Sequence, residues 1–269
     1  MNRAAAGLAA RLCQSPGTLG VFLPAGFPGP GLDAEALTAF ARAGAGILEI
    51  GVPVQAPTLD GPDITAAYQR ALQHGTRVTD VLTTVARAAA STEASIVVMS
   101  YWNPVHQYGV RAFSRDLAKA GAAGAMIPDL PADEAETWHA AAQAAGLCTP
   151  QFAPRPSTDS ELARTCAVAS GWVYVPAALS ATGFTGDLDH TALERFVQRC
   201  RRTTDVPVVT GVGVSTPELA ATVTAFVDGV VVGSPIVRAL LARPDRSGIA
   251  AAADRVALFA ESLRSPAPA

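Results

Sequence analysis

Ile47-Leu48-Glu49-Ile50-Gly51-Val52-Pro53 opens a stretch that continues through Val54-Gln55-Ala56-Pro57-Thr58-Leu59 to Asp60-Gly61-Pro62. It starts as an apolar run of strand length and passes into a loop punctuated by glycine and proline. One carboxylate, Glu49, stands inside the apolar run, and a second, Asp60, stands in the loop. A carboxylate in a buried strand is costly unless it is paired or chemically used.

Outward from this stretch, a strand followed by a helix recurs. Upstream, 19–24 is a strand candidate closed by Ala25-Gly26-Phe27-Pro28, and 33–43 has helical periodicity with Leu37 and Phe40 on one face. Downstream, a helical region over 64–90 is interrupted at His74-Gly75-Thr76, and strands are predicted at 95–99, 124–127, 148–153, 171–175, 206–209 and 227–232. Helices are predicted at 110–120, 132–145, 157–168, 190–202 and 217–226, with a last helical region opened by Gly233-Ser234. Asp133 and Glu134 occupy the predicted first turn of the 132–145 helix, where the helix dipole favours acids. The strands are apolar runs rather than alternations, the pattern of parallel strands buried on both faces. Eight such units in 269 residues, with no linker, predict one α/β domain over 1–269. The expected fold is a single (β/α)8 TIM barrel with an extra amphipathic N-terminal helix over 1–14. A doubly wound open sheet is the alternative.

The chain is 49% hydrophobic and 16% charged, which suits a large core and excludes disorder. A net charge of −3 offers no basic footprint for nucleic acid or an anionic membrane. No apolar run has the form of a signal peptide or membrane span, so a cytoplasmic protein is expected. Cys13, Cys148, Cys166 and Cys200 show no metal or redox spacing and are expected to be buried free thiols. The four histidines are equally dispersed, and no metal site is expected.

In such a barrel, chemistry sits at the C-terminal strand ends and in the loops beyond them. Glu49 and Asp60 fall there. Burial lifts a carboxyl toward the range where proton exchange at neutral pH is efficient, although a structural carboxylate satisfied by its neighbours would also fit. Gly211-Val212-Gly213 and Gly233-Ser234, after the seventh and eighth strands, lead into helices and predict a phosphate site. The loop over 180–186 is long and glycine-rich enough to be a lid. The only lysine, Lys119, falls on a predicted outer helix, which argues against Schiff-base aldol chemistry. Carbon–carbon cleavage or isomerisation of a phosphorylated substrate by carboxylates remains. No fingerprint for a dinucleotide cofactor follows the first strand.

Several motifs together resemble the tryptophan synthase alpha chain family and its stand-alone relatives, the indole-3-glycerol phosphate lyases. They are Leu23-Pro24-Ala25-Gly26-Phe27-Pro28, Glu49-Ile50-Gly51-Val52-Pro53, Leu59-Asp60-Gly61-Pro62, Tyr101-Trp102-Asn103-Pro104, Pro128-Asp129-Leu130-Pro131, Gly183-Phe184-Thr185-Gly186, Gly211-Val212-Gly213-Val214-Ser215 and Gly233-Ser234. The resemblance implies retro-aldol cleavage of indole-3-glycerol phosphate to indole and glyceraldehyde 3-phosphate, with no cofactor. It implies that Glu49 protonates indole C3 and assists the glycerol hydroxyl, and that Asp60 accepts from the indole N–H. It implies an indole pocket at Phe22, Met99 and Ile127, a lid contact to Asp60 from Thr185, and phosphate contacts from Gly186, Gly213, Val214, Gly233 and Ser234.

The chain also departs from the family. Val54-Gln55-Ala56 stands where an aromatic or polar residue and Ser-Asp are usual, and Thr65 replaces a usual glutamine. The resemblance implies a beta-chain partner; Gln55 and Ala56 argue against regulated channelling to it. The segment Val175-Pro176-Ala177-Ala178-Leu179 looks longer than the family's, and Phe184 and Val212 differ in size from frequent choices. The alternative function is a non-catalytic subunit that activates a PLP-dependent beta partner, or a paralogue acting on a modified indole.

Overall fold

The computed structural model describes residues 3–14 and 17–264. Its eight parallel strands form one sheet in the order β4-β3-β2-β1-β8-β7-β6-β5. They are β1 (Thr18–Pro24), β2 (Ile47–Gly51), β3 (Ser95–Met99), β4 (Gly124–Met126), β5 (Gln151–Phe152), β6 (Val173–Val175), β7 (Val208–Thr210) and β8 (Gly229–Val232). The ends of this sheet, β4 and β5, meet through a parallel bridge between Gly124 and Cys148. There Cys148 N–H donates to the Ala123 carbonyl at 2.9 Å and Ala125 N–H donates to the Cys148 carbonyl at 3.1 Å. The expected eight-stranded barrel is therefore the fold, nearly closed rather than an open sheet.

The helices are α1 (Arg3–Gln14), α2 (Leu32–Arg42), α3 (Pro62–Gln73), α4 (Val78–Ser91), α5 (Trp102–Tyr108), α6 (Val110–Lys119), α7 (Ala135–Ala144), α8 (Asp159–Ala167), α9 (His190–Arg201), α10 (Pro217–Val223), α11 (Ser234–Ala242) and α12 (Arg246–Arg264). Their apolar stripes face the strands, as Ala36, Leu37 and Phe40 of α2 do. The extra helix α1 buries Ala5, Leu8 and Leu12. Leu8 and Leu12 reach toward Gly171 and Gly229, close enough that a Cβ on either glycine would press on them at 3.3 and 3.1 Å. The expected helix began at Met1; Met1 and Asn2 lie outside the described residues, as do 265–269 of the expected domain.

Several elements differ from expectation. The predicted fifth strand shrinks to Gln151–Phe152 because Thr149 N–H donates to Ser170 Oγ at 2.8 Å and Pro150 has no N–H for a ladder. The helix expected from 132 starts at Ala135, since Glu134 N–H closes a turn on the Pro131 carbonyl at 3.1 Å. The segment after Tyr101, where no element is predicted, is a helix, α5. The last helical region divides at Arg243-Pro244-Asp245 into α11 and α12. All four cysteines are free, but Cys13 is exposed rather than buried. Among the described residues no helix is long and apolar enough to cross a membrane.

Candidate active site

Register across the strands decides which side chains share the barrel mouth. Phe22 of β1 pairs with Glu49 of β2, and Gly51 of β2 pairs with Met99 of β3. Met99 in turn pairs with Met126 of β4. Phe22, Glu49, Met99 and Met126 all line one cavity, which Phe152, Tyr174, Val212 and Phe184 enclose from the other half of the barrel. The ring of Phe152 stacks on Tyr174 at 5.9 Å. Aromatic and thioether walls of this kind suit a flat apolar ring.

The two carboxylates face this cavity. Glu49 is 4% exposed, and its Oε1 has no hydrogen-bond partner among the described residues. Burial first, and the nearby charge of Asp60 second, push its pKa from an ordinary 4.5 up to about 8. Asp60 is better supported: Tyr101 Oη donates to Oδ2 at 2.9 Å and Thr182 Oγ1 to Oδ1 at 3.4 Å. Burial raises its pKa to about 6, against the lowering effect of those two hydroxyls. Near pH 7 the pair thus holds one protonated and one ionised carboxyl, a division of labour suited to acid–base work.

Tyr101 is fixed as a donor because its own oxygen accepts from Leu59 N–H at 3.0 Å. The helix that follows Tyr101 is capped from a distance, with Trp102 N–H donating to Asp129 Oδ1 at 2.7 Å. Across the mouth, the lid rests on the Asp60 loop. Gly61 N–H donates to Thr182 Oγ1 at 2.7 Å, and a side chain at Gly61 would overlap the Thr182 carbonyl. Close docking of the two loops therefore requires glycine there.

The other end of the cavity is built from backbone. Gly183, Gly211, Gly213, Val214, Gly233 and Ser234 line it, with Ser234 opening α11. A helix start flanked by glycine turns favours an anion. Val214 contributes its side chain, because its N–H is taken by the Gly211 carbonyl at 2.7 Å. Gly211 leaves room for Tyr174 Oη, which accepts from Val212 N–H at 2.9 Å.

The structure places three of the expected site residues outside the cavity lining. Met126, and not Ile127, lines the cavity, because Met126 is the register partner of Met99 and the side-chain period of two turns its neighbour away. The hydroxyl that meets Asp60 belongs to Thr182, whereas Thr185 is exposed. Gly183, not the exposed Gly186, lies beside Ser234: a Cβ there would stand 3.5 Å from Ser234 Oγ. The last two share a cause, since the loop contains two Thr-Gly pairs three residues apart, Thr182-Gly183 and Thr185-Gly186. Sequence reasoning also missed Tyr174 and Phe152; the available signal was an aromatic residue near the C-terminal end of each predicted strand, 148–153 and 171–175.

Residues 9–265 match the family described as tryptophan synthase alpha chain. The chain belongs to the tryptophan synthase alpha chain family. The alpha chain of Streptomyces coelicolor is 43% identical over 238 residues, covering 88% of each chain. That of Salinispora tropica is 42% identical over 247 residues, covering 91% of this chain and 92% of the relative. Among solved structures, a chain of Mycobacterium tuberculosis tryptophan synthase superposes with a TM-score of 0.88 at 35% identity, covering 98% of this chain and 99% of that one. The resemblance drawn from scattered motifs therefore extends along nearly the whole fold.

Proposed function

We propose that Glu49 and Asp60 carry the reaction of this lyase, the cleavage of indole-3-glycerol phosphate to indole and glyceraldehyde 3-phosphate. The observation that carries the assignment is one cavity with two unlike carboxyls on an apolar ring-sized wall and a backbone cradle for an anion at its far end. Indole is an electron sink of its own. Protonated Glu49 delivers its proton to indole C3, and the cation that forms is held by ionised Asp60 against the ring N–H. The Glu49 carboxylate then takes the proton of the glycerol hydroxyl adjacent to the ring. As that oxygen becomes an aldehyde, the bond to C3 breaks and its electron pair returns to the ring. Indole and the aldehyde leave, and Glu49 is protonated again. The phosphate of the substrate sits against Gly183, Gly213, Gly233 and Ser234, with Phe22, Met99 and Met126 around the ring.

The whole chain, 1–269, works as one domain in the cytoplasm. Its partner is a beta chain that docks across the mouth. Gln55 and Ala56 are exposed in that loop, and Leu179, 68% exposed, stands at the root of the lid. With no carboxylate at position 56, the partner has little hold on the loop, and turnover responds weakly to it. Purified chain incubated alone with indole-3-glycerol phosphate is expected to release indole at a rate that a beta chain raises only a few-fold. No indole above the buffer rate, beside a working lyase control, would refute the catalytic assignment. Strong activation by the beta chain would refute only the weak coupling.

A further inference from the structure

We propose that Tyr68 is a positioning residue for the ring pocket, holding Met99 and Phe22 in the places from which they grip the substrate. The proposal rests on the reading of the cavity as an indole site. Tyr68 is fully buried on α3, one turn beyond Ile64, which lines the cavity. It stands behind the wall. Its hydroxyl donates to Met99 Sδ at 3.8 Å, and its ring meets Phe22 edge to face with centroids 6.4 Å apart. The three side chains converge over Gly51, where a Cβ would stand 2.6 Å from Phe22 Cζ and 2.8 Å from Tyr68 Oη. The strand that carries Glu49 thus ends in a residue without a side chain, and the vacated space is filled by Tyr68 and Phe22.

The chemistry of the contact explains why a hydroxyl matters there. Methionine has three rotatable bonds and by itself samples several shapes. A phenol O–H directed at its sulfur selects one of them, and the thioether is the only hydrogen-bond partner of that hydroxyl among the described residues. A phenylalanine at position 68 would fill the same volume and keep the edge contact to Phe22, but would release Met99. Tyr68 reaches the substrate only through Met99 and Phe22. Its removal should weaken ring binding without changing the protonation of either carboxyl.

The test is a double-mutant cycle of Tyr68→Phe and Met99→Leu in the full chain, read by steady-state kinetics on indole-3-glycerol phosphate and by calorimetric titration with indole. Each single change is expected to raise KM and the indole Kd about 3- to 10-fold with kcat within about twofold, and the double variant should be no worse than the weaker single. The pH limbs of kcat/KM should stay in place. Additive losses, or a lowered Tm with KM and Kd unchanged, would overturn the proposal. If Tyr68→Phe fails to fold, Met99→Leu still refutes the proposal when KM and the indole Kd are unchanged, since it removes the acceptor while leaving the tyrosine. Wild-type turnover in the same assay separates the two readings. Active wild type with unaffected variants sinks the role of Tyr68 alone, and inactive wild type sinks the indole site and this role with it.

Discussion

β1, β2 and β3 run for seven, five and five residues, whereas β5, β6 and β7 run for two, three and three. The long strands pair residue for residue, with five register partners between β1 and β2 and five between β2 and β3. They present side chains: Phe22, Glu49 and Met99 all stand on this half. The short strands end early and give their length to loops, the longest being 176–189 between β6 and α9. Besides the stacked rings of Phe152 and Tyr174, that side of the mouth presents backbone: glycine turns and, after β8, a helix start. A proton donor must be held at a set distance from one carbon, and a full ladder on both sides supplies that. A phosphate has several equivalent oxygens and is held by several N–H groups, so loops suffice for it. A laddered strand on one side and glycine-bearing loops on the other are the two kinds of support the cavity has.

The sharpest way to break this comparison is to neutralise the ladder's carboxylate. Glu49→Gln should lower kcat by about a thousandfold, the middle of the range for a lost acid–base group, with substrate binding retained. Equal loss of binding, measured by calorimetry on the substrate, would make Glu49 structural. The same variant has a stability signature. Glu49 and Asp60 both bind protons more tightly folded than unfolded, so the folded state holds more protons over about pH 4 to 8 and stability falls as pH rises through that window. Gln in place of Glu49 removes most of that slope and should stabilise the free protein by roughly 3 kcal/mol at pH 7, the product of about 2.5 pH units and 1.36 kcal/mol per unit. Urea melts at pH 5 and pH 8 check it.

The loop half should fail differently. Gly213 has φ +94°, and an added Cβ would meet Ala178 Cβ at 2.8 Å and Leu188 Cδ2 at 3.0 Å. Gly213→Ala combines backbone strain with a displaced turn, and should raise KM about 10- to 100-fold with kcat changed much less. A large kcat loss at unchanged KM would erase the division between the two halves. Thr182→Val tests the contact where the halves meet. It removes the hydroxyl that accepts from Gly61 and donates to Asp60, and kcat/KM should fall about tenfold through loosened lid closure. Thr185→Val, on an exposed residue of the same loop, should leave kcat/KM nearly unchanged; a larger effect than at Thr182 would restore the original expectation for Thr185.

How much was legible follows the same line between the halves. The strands at 47–51 and 95–99 were readable because burial on both faces writes itself as an apolar run. Glu49 was conspicuous against that background, and the glycines after β7 and β8 were visible as turn chemistry. Contacts between distant segments were harder to read. Nothing near Trp102 in sequence indicates that Asp129 caps its helix, so α5 was hidden behind Pro104, which the first turn of a helix tolerates. The lid offered two Thr-Gly pairs, and only the docking of Thr182 on Gly61 distinguishes them. Ile127 and Met126 are adjacent apolar residues at the end of a strand, and only the register that pairs Met126 with Met99 separates the one lining the cavity from its neighbour.

The finest test uses the pH profile of the two carboxyls. If Asp60 must be ionised and Glu49 protonated in the free enzyme, kcat/KM falls below about pH 6 and above about pH 8. Tyr101→Phe removes the phenol that donates to Asp60 at 2.9 Å, so the carboxylate loses a stabilising bond and its pKa rises. The acid limb should therefore move to higher pH, by up to about one unit for the loss of one hydrogen bond to a charged acceptor. The alkaline limb should hardly move, because Asp60 is still ionised near pH 8 and continues to press on Glu49. Asp60→Asn should do the reverse at lower overall activity: with the like charge gone, the alkaline limb moves down while the acid limb disappears. An acid limb that stays fixed in Tyr101→Phe would mean that a group other than Asp60 sets it, and the supported carboxylate of the loop would lose its place opposite the unsupported one of the strand.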